Sequence, residues 1–172
     1  MKIVYLGLGS NLGDRQRALQ QALERLHGAD LRIRRVSSVY ETEPVDCAPQ
    51  GWFLNAVAEA ETRLFPVQLL QRLLRIEAEM GRKRVRGRVN APRLIDLDLL
   101  CYGPWVIHTA ALTVPHPRMH LRRFVLAPLA ELAPEWRHPA LRRSVAELLR
   151  ETESQRVRKA TGVLRAPDAF HP

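Results

Sequence analysis

The chain has few cysteines, no long apolar run and none of the compact glycine signatures of common nucleotide folds. Its two cysteines, Cys47 and Cys101, stand apart with no Cys-x-x-Cys spacing, so a reduced, cytoplasmic protein is expected rather than a disulfide scaffold. No stretch approaches the roughly 18 apolar residues of a membrane span. The opening Met1-Lys2-Ile3-Val4-Tyr5-Leu6 is too short for a signal peptide before the first glycines. Gly7, Gly9 and Gly13 are spaced G-x-G-x-x-x-G, and no Gly-Lys-Ser/Thr follows; the dinucleotide-fold and P-loop readings are set aside on that spacing. No internal repeat, domain linker or coiled-coil heptad is visible.

What is present is basic. The 172 residues carry 27 Lys+Arg against 18 Asp+Glu, a net charge of +9 with a sequence pI near 10.7. This length suits one compact domain that buries roughly 70% of its unfolded surface. The charge attracts anions without saying which. Six of the cations fall between Gly81 and Arg93, too close to pack against one another, so this loop is expected to be solvated until an anion arrives.

Immediately after it, Pro92-Arg93-Leu94-Ile95-Asp96-Leu97-Asp98-Leu99-Leu100-Cys101-Tyr102 reads as a buried strand. Residues two apart in a strand share a face, so Asp96 and Asp98 point one way and Ile95, Leu97 and Leu99 the other. Two carboxylates side by side repel each other and resist burial. A divalent cation compensates that cost; a solvent-facing acidic stripe is the plainer alternative. The basic loop favours the first, because magnesium and arginines together form a receptor for a polyphosphate.

Along the rest of the chain, residues 2–8 predict a first strand ending in a glycine turn. Asp14 is a helix N-cap, and Leu19, Ala22, Leu23 and Leu26 recur at helical spacing up to Gly28, a C′ residue. Residues 31–40 alternate as a second strand, and 53–62 form a third with Leu54, Ala56, Ala58 and Ala60 on one face. Pro66 opens a helix to Met80 that Gly81 stops. The order strand–helix–strand–strand–helix–strand predicts an α+β, ferredoxin-like βαββαβ core, an antiparallel sheet with two helices on one face. Further helices are expected over about 121–132 and 143–152. One domain should span 1–152, with 153–172 a frayed tail.

His116 and His120 have the spacing of a helical zinc pair, but Pro115 and Pro117 argue against a helix there; a phosphate-donating or packing histidine is the alternative. Phe53 and Phe124 suit either core packing or stacking on a flat heterocycle, with Asn55 on the face of Phe53.

In combination these segments resemble the 6-hydroxymethyl-7,8-dihydropterin pyrophosphokinases of folate synthesis over roughly residues 3–135. The resemblance rests on Leu8-Gly9-Ser10-Asn11-Leu12-Gly13-Asp14, Ser37-Ser38-x-Tyr40-x-Thr42-x-Pro44, Phe53-Leu54-Asn55-Ala56 and Pro92-Arg93-x-x-Asp96-x-Asp98. Val114-Pro115-His116-Pro117-Arg118-Met119 and Arg123-Phe124-Val125-Leu126 complete it.

The resemblance implies ATP and the pterin as substrates and two magnesium ions on Asp96 and Asp98. Arg82 and Arg93 would engage the triphosphate and the transferring group, with Arg84, Glu77, Thr113, His116, Arg122 and the main chain at Leu99 also at the nucleotide. Phe53 and Phe124 would sandwich the pterin, while Thr42, Val45, Asn55 and Asp96 meet its polar edge. It also implies a cytoplasmic monomer with no nucleic-acid or membrane partner. Ala91, Asn90, Leu74 and Phe53 depart from residues common in the family. Two rivals differ in kind. An RNA-binding ferredoxin-like module should carry an Arg/Lys-Gly-Phe-x-Phe pattern, which this chain lacks. A two-metal nucleotidyltransferase would release pyrophosphate instead of AMP.

Overall fold

The structure, a computed structural model, describes residues 1–43, 51–81 and 92–167. Among them the order is β1 (Lys2–Ser10), α1 (Arg15–Leu26), β2 (Leu31–Val36), β3 (Tyr40–Thr42), β4 (Phe53–Thr62), α2 (Pro66–Glu79), β5 (Asp96–Tyr102), the short pair β6 (Ile107–His108) and β7 (Thr113–Val114), a 3-10 turn at Met119–Leu121, α3 (Arg123–Leu132), α4 (Val145–Arg150) and β8 (Val157–Lys159). The main sheet runs β5-β1-β4-β3-β8, with β2 also paired to β4, and every pairing is antiparallel. Taking β2 and β3 as one interrupted strand, this is the expected ferredoxin-like α+β arrangement.

The interruption has a local cause. Val36 lies opposite Ala58 and Tyr40 opposite Asn55, so one strand carries an extra residue across the gap. Ser37 absorbs it: its N–H donates to the Val57 carbonyl at 2.9 Å and its hydroxyl accepts the Val57 N–H at 2.9 Å. A continuous strand over 31–40 is therefore replaced by two.

The helices obey their predicted signals with one exception. The Asp14 carboxylate accepts the Arg17 N–H at 3.0 Å, capping α1. Gly81 ends α2 at φ 93°, a conformation that favours glycine. Gly28, by contrast, is not a left-handed C′ residue; it forms a bridge with Leu31, to whose carbonyl its N–H donates at 2.8 Å.

Helices cover both faces of the sheet. Toward α1 and α2 lies a continuous core that includes Leu6, Leu8, Leu19, Leu23, Leu69, Leu73, Leu97 and Leu99. Toward α3 and α4 a second core gathers Tyr5, Val57, Leu100, Cys101, Met119, Leu126, Leu129 and Leu148. Leu100 is an extra residue against β1, since Cys101 pairs with Tyr5 and Leu99 with Leu6. This bulge turns Leu100 and Cys101 to the same side, and Tyr102 returns to the first core.

Residues 153–167 are not frayed. β8 adds to the edge of β3; Arg158 pairs with Glu41 at 2.5 Å and Lys159 with Glu131 at 3.1 Å, and Leu164 is buried in the first core. Among the described residues no helix is long and apolar enough to cross a membrane.

Candidate active site

Above the α3-facing side of the sheet, where the second core stops, lies a cavity of about 400 Å³. Its floor is made by strands that alternate as sequence predicts. Asp96 and Asp98 on β5 share a half-exposed face, while Ile95, Leu97 and Leu99 are buried in the opposite core. Across the ladder Gly7 pairs with Asp98, and Gly9 pairs with both Asp96 and Asn55. These two glycines belong to β1, not to a turn after it. A Cβ on Gly9 would lie 3.1 Å from the Asn55 Oδ1 and 3.9 Å from the Asp96 Cβ. Their lack of side chains keeps the floor clear between the carboxylates and β4.

Around this floor stand Thr42, Phe53 and Asn55 on one side and Arg93, His116, Arg122 and Phe124 on the other, with Arg118 at the rim. Asn55 is 7% exposed, and its amide nitrogen donates to the buried Thr42 hydroxyl at 2.9 Å. That bond fixes the rotamer and turns the amide oxygen toward Gly9. Arg122 stacks on Phe124, its guanidinium carbon 5.4 Å from the ring centre.

Arg93 is held twice. Its guanidinium lies 3.0 Å from an Asp96 oxygen, and its main chain exchanges hydrogen bonds with Asn11, the N–H donating to the side-chain oxygen at 2.8 Å and the carbonyl accepting the Asn11 N–H at 3.2 Å. Asn11 also donates to the Gly51 carbonyl at 3.4 Å, so the end of β1 ties two loop exits together.

Electrostatics favour an anion with a divalent cation. Arg93, Arg118 and Arg122 face Asp96 and Asp98 across one cavity. Burial, then the nearby Arg122 and Arg118, push the His116 pKa down to about 4, against the pull of Asp96. The imidazole is therefore neutral near pH 7. Its Nδ1 accepts the Arg118 N–H at 3.2 Å, which assigns the proton to Nε2 and makes that atom a donor. Among the described residues no group of three or more His, Cys, Asp or Glu gathers. Magnesium needs only one or two carboxylates when phosphate oxygens and water complete its shell, so the Asp96/Asp98 pair fits it.

Not every predicted residue reaches this cavity. Glu77 is 2% exposed, its carboxylate accepting the Leu97 N–H at 2.7 Å; the Leu99 side chain is in the opposite core, and Thr113 lies on the small β6–β7 pair. None of the three lines the cavity. His120 does not join His116; its ring packs edge-on to His138 with centroids 6.0 Å apart. Val45, Arg82 and Arg84, with Asn90 and Ala91, lie outside the described residues. Sequence reasoning missed Gly7 and Gly9 as floor, Asn11 as a clamp, and Gln155, which lines the cavity from the C-terminal segment. No signal along the chain gave the first, because the pairing of Gly7 and Gly9 with β4 and β5 appears only in the register of the sheet.

Comparison with known proteins agrees with this arrangement. The sequence matches the family model for 7,8-dihydro-6-hydroxymethylpterin-pyrophosphokinase over residues 5–134. It is 49% identical over 132 residues to the 2-amino-4-hydroxy-6-hydroxymethyldihydropteridine pyrophosphokinase of Bacillus subtilis, covering 76% of this chain and 77% of that protein. The Aquifex aeolicus protein of the same name is 44% identical over 147 residues, covering 86% and 90%. The folic acid synthesis protein fol1 of Schizosaccharomyces pombe is 42% identical over 158 residues, 91% of this chain but only 21% of that longer protein. In fold, the chain superposes on the crystal structure of Plasmodium falciparum HPPK-DHPS with pteroate at a TM-score of 0.73 and 16% identity, covering 89% of this chain and 44% of that one. On the sequence match, the chain belongs to the 7,8-dihydro-6-hydroxymethylpterin-pyrophosphokinase family.

Proposed function

We propose that this chain transfers the β,γ-pyrophosphoryl group of ATP to the hydroxymethyl group of 6-hydroxymethyl-7,8-dihydropterin, releasing AMP, as a step of folate synthesis. The observation that carries the reading is one cavity holding the paired carboxylates, three arginines and two aromatic rings. The pterin lies between Phe53 and Phe124, and Asn55, oriented by Thr42, offers its amide oxygen to a ring N–H. Its hydroxymethyl group then points toward the β5 side of the floor, where the carboxylates stand.

The hydroxymethyl oxygen attacks the β-phosphorus in line. The bond from that phosphorus to the oxygen bridging to the α-phosphate breaks, and AMP leaves with that oxygen. The hydroxyl proton passes to a carboxylate or to water. Asp96 and Asp98 would hold two magnesium ions, which when bound neutralise the phosphate oxygens and align the chain of phosphates. Arg93, kept in place by Asn11, and Arg122 stabilise charge on the transferring group. The neutral His116 donates from Nε2 to a phosphate oxygen.

The nucleotide base is assigned to the outer edge of β5. Glu77 caps the Leu97 N–H and His116 donates to the Leu100 carbonyl at 2.8 Å, leaving the Leu99 main chain between them beside Thr113. Arg82, Arg84 and Val45 enter by resemblance alone. Cys101, a free thiol 1% exposed, suits a reducing cytoplasm, and the enzyme is read as a monomer with no nucleic-acid or membrane partner.

Incubation with Mg-ATP and the pterin, followed by chromatography of the nucleotides, tests this. Pterin-dependent AMP is expected. ADP would indicate single-phosphate transfer, free pyrophosphate a nucleotidyl transferase, and either would overturn the proposal.

A further inference from the structure

The family match ends at residue 134, yet Gln155, beyond it, reaches the cavity. Gln155 follows α4, held there because its N–H donates to the Thr152 carbonyl at 3.1 Å, and Thr152, 5% exposed, in turn donates its hydroxyl to the Leu149 carbonyl at 2.9 Å. Two residues later the chain enters β8 and is locked to β3. Gln155 is thus fixed from both sides.

Its side-chain amide spans the joint between the 3-10 turn and α3. The nitrogen donates to the Leu121 carbonyl at 2.7 Å, and the oxygen accepts the Arg123 N–H at 2.9 Å. The residue between them is Arg122, in an extended conformation at φ −118° and ψ 104°. Arg122 is the N-cap of α3, and no side chain of its own supplies the capping hydrogen bond. The Arg123 N–H is one of the helix-start donors that lack an intrahelical partner. Gln155 supplies that partner from 32 residues away in sequence. Because both bonds flank Arg122, they set the direction in which its side chain leaves the backbone.

We infer that Gln155 is a positioning residue for the transfer reaction, a cap supplied from the C-terminal segment that aims Arg122 into the cavity. The inference rests on the function proposed above. It gives the C-terminal segment a task beyond closing the sheet: the turn that leads into β8 carries the anchor for the arginine.

The test is a double-mutant cycle on AMP formation. Gln155→Met keeps length and unbranched shape while removing both hydrogen bonds. In an otherwise unchanged chain it is expected to lower kcat/KM for the pterin about tenfold, with the thermal midpoint remaining above the assay temperature. In an Arg122→Ala background the same change should alter kcat/KM by less than about twofold, since the group it aims is already gone. Equal losses in both backgrounds, or no loss in the first, would overturn the inference. Should Gln155→Met fail to fold, Gln155→Glu, which keeps the acceptor toward Arg123, carries the cycle with the same criteria. If the unaltered chain makes no AMP, the proposed function has failed and Gln155 is not what was tested.

Discussion

Leu6 and Leu8 turn toward α1 and α2, whereas their neighbours Gly7 and Gly9 turn toward α3 and the cavity. On β5 the same division separates Leu97 and Leu99 from Asp96 and Asp98. One face of each strand is chosen for volume and dryness, the other for open space and charge. Because strand side chains alternate, the two demands are met residue by residue with little interference. The apolar face holds the backbone still, and that rigidity lets two adjacent carboxylates be placed together although they repel. Arg93, 3.0 Å from Asp96, offsets part of their repulsion, and the core takes no share of it.

The sharpest way to break this division is on the charged face. Asp96→Ala or Asp98→Ala should reduce AMP formation by about 10³-fold or more, while circular dichroism and the melting midpoint stay near those of the parent chain. Loss of the fold instead would mean that the carboxylates serve the core. On the apolar face the opposite pattern is expected. Leu8→Ala, at a position 2% exposed, should cost about 2–5 kcal/mol in denaturant unfolding, with kcat of the folded fraction unchanged.

Gly9 offers a finer test because it divides space rather than charge. Gly9→Val should weaken pterin binding about tenfold or more in calorimetric titration, since even its Cβ meets the Asn55 oxygen at 3.1 Å. Undiminished binding would remove Gly9 from the floor. Phe124→Ala should weaken the pterin by a comparable or smaller factor, with ATP affinity little changed.

The smallest effect concerns protons. His116 is depressed in the folded chain to about 4 from an ordinary 6.5, so folding favours its neutral form. Its contribution is complete above pH 6.5 and declines as pH falls toward 4. In the ligand-free chain this should amount to about 1–2 kcal/mol of lost stability, after allowance for solvent screening. His116→Gln should flatten that part of the pH–stability curve; an unaltered slope would assign the acid sensitivity to other groups.

Much of this could be read from residues in order. Asp96 and Asp98 announce their shared face by a two-residue period, and Asp14, Pro66 and Gly81 announce helix ends through local backbone chemistry. What escaped reading depends on contacts distant in sequence. Ser37 breaks a strand only because β4 is one residue short opposite it. Gly7 and Gly9 look like turn residues until their neighbours across the ladder are known. Val157-Arg158-Lys159 has no apolar alternation, and forms a strand because Glu41 and Glu131 lie where its cations arrive. Glu77 meets β5 across 20 residues of sequence, one carboxylate oxygen accepting the Leu97 N–H, and helical spacing alone does not show that contact.

The extra residue at Leu100 acts as a phase boundary along β5. Before it, the strand is in step with the carboxylates; after it, Tyr102 is in step with α2 and its hydroxyl donates to the Leu64 carbonyl at 2.8 Å. Removing Leu100 would leave a regular ladder, with Asp96, Asp98 and Cys101 on one face and Leu97, Leu99 and Tyr102 on the other. What the deletion would take away is the second apolar side chain that β5 sends toward α3, since Leu100 and Cys101 both pack in that core. The extra residue therefore adds volume beneath the cavity while leaving the acids and the tyrosine anchor in phase.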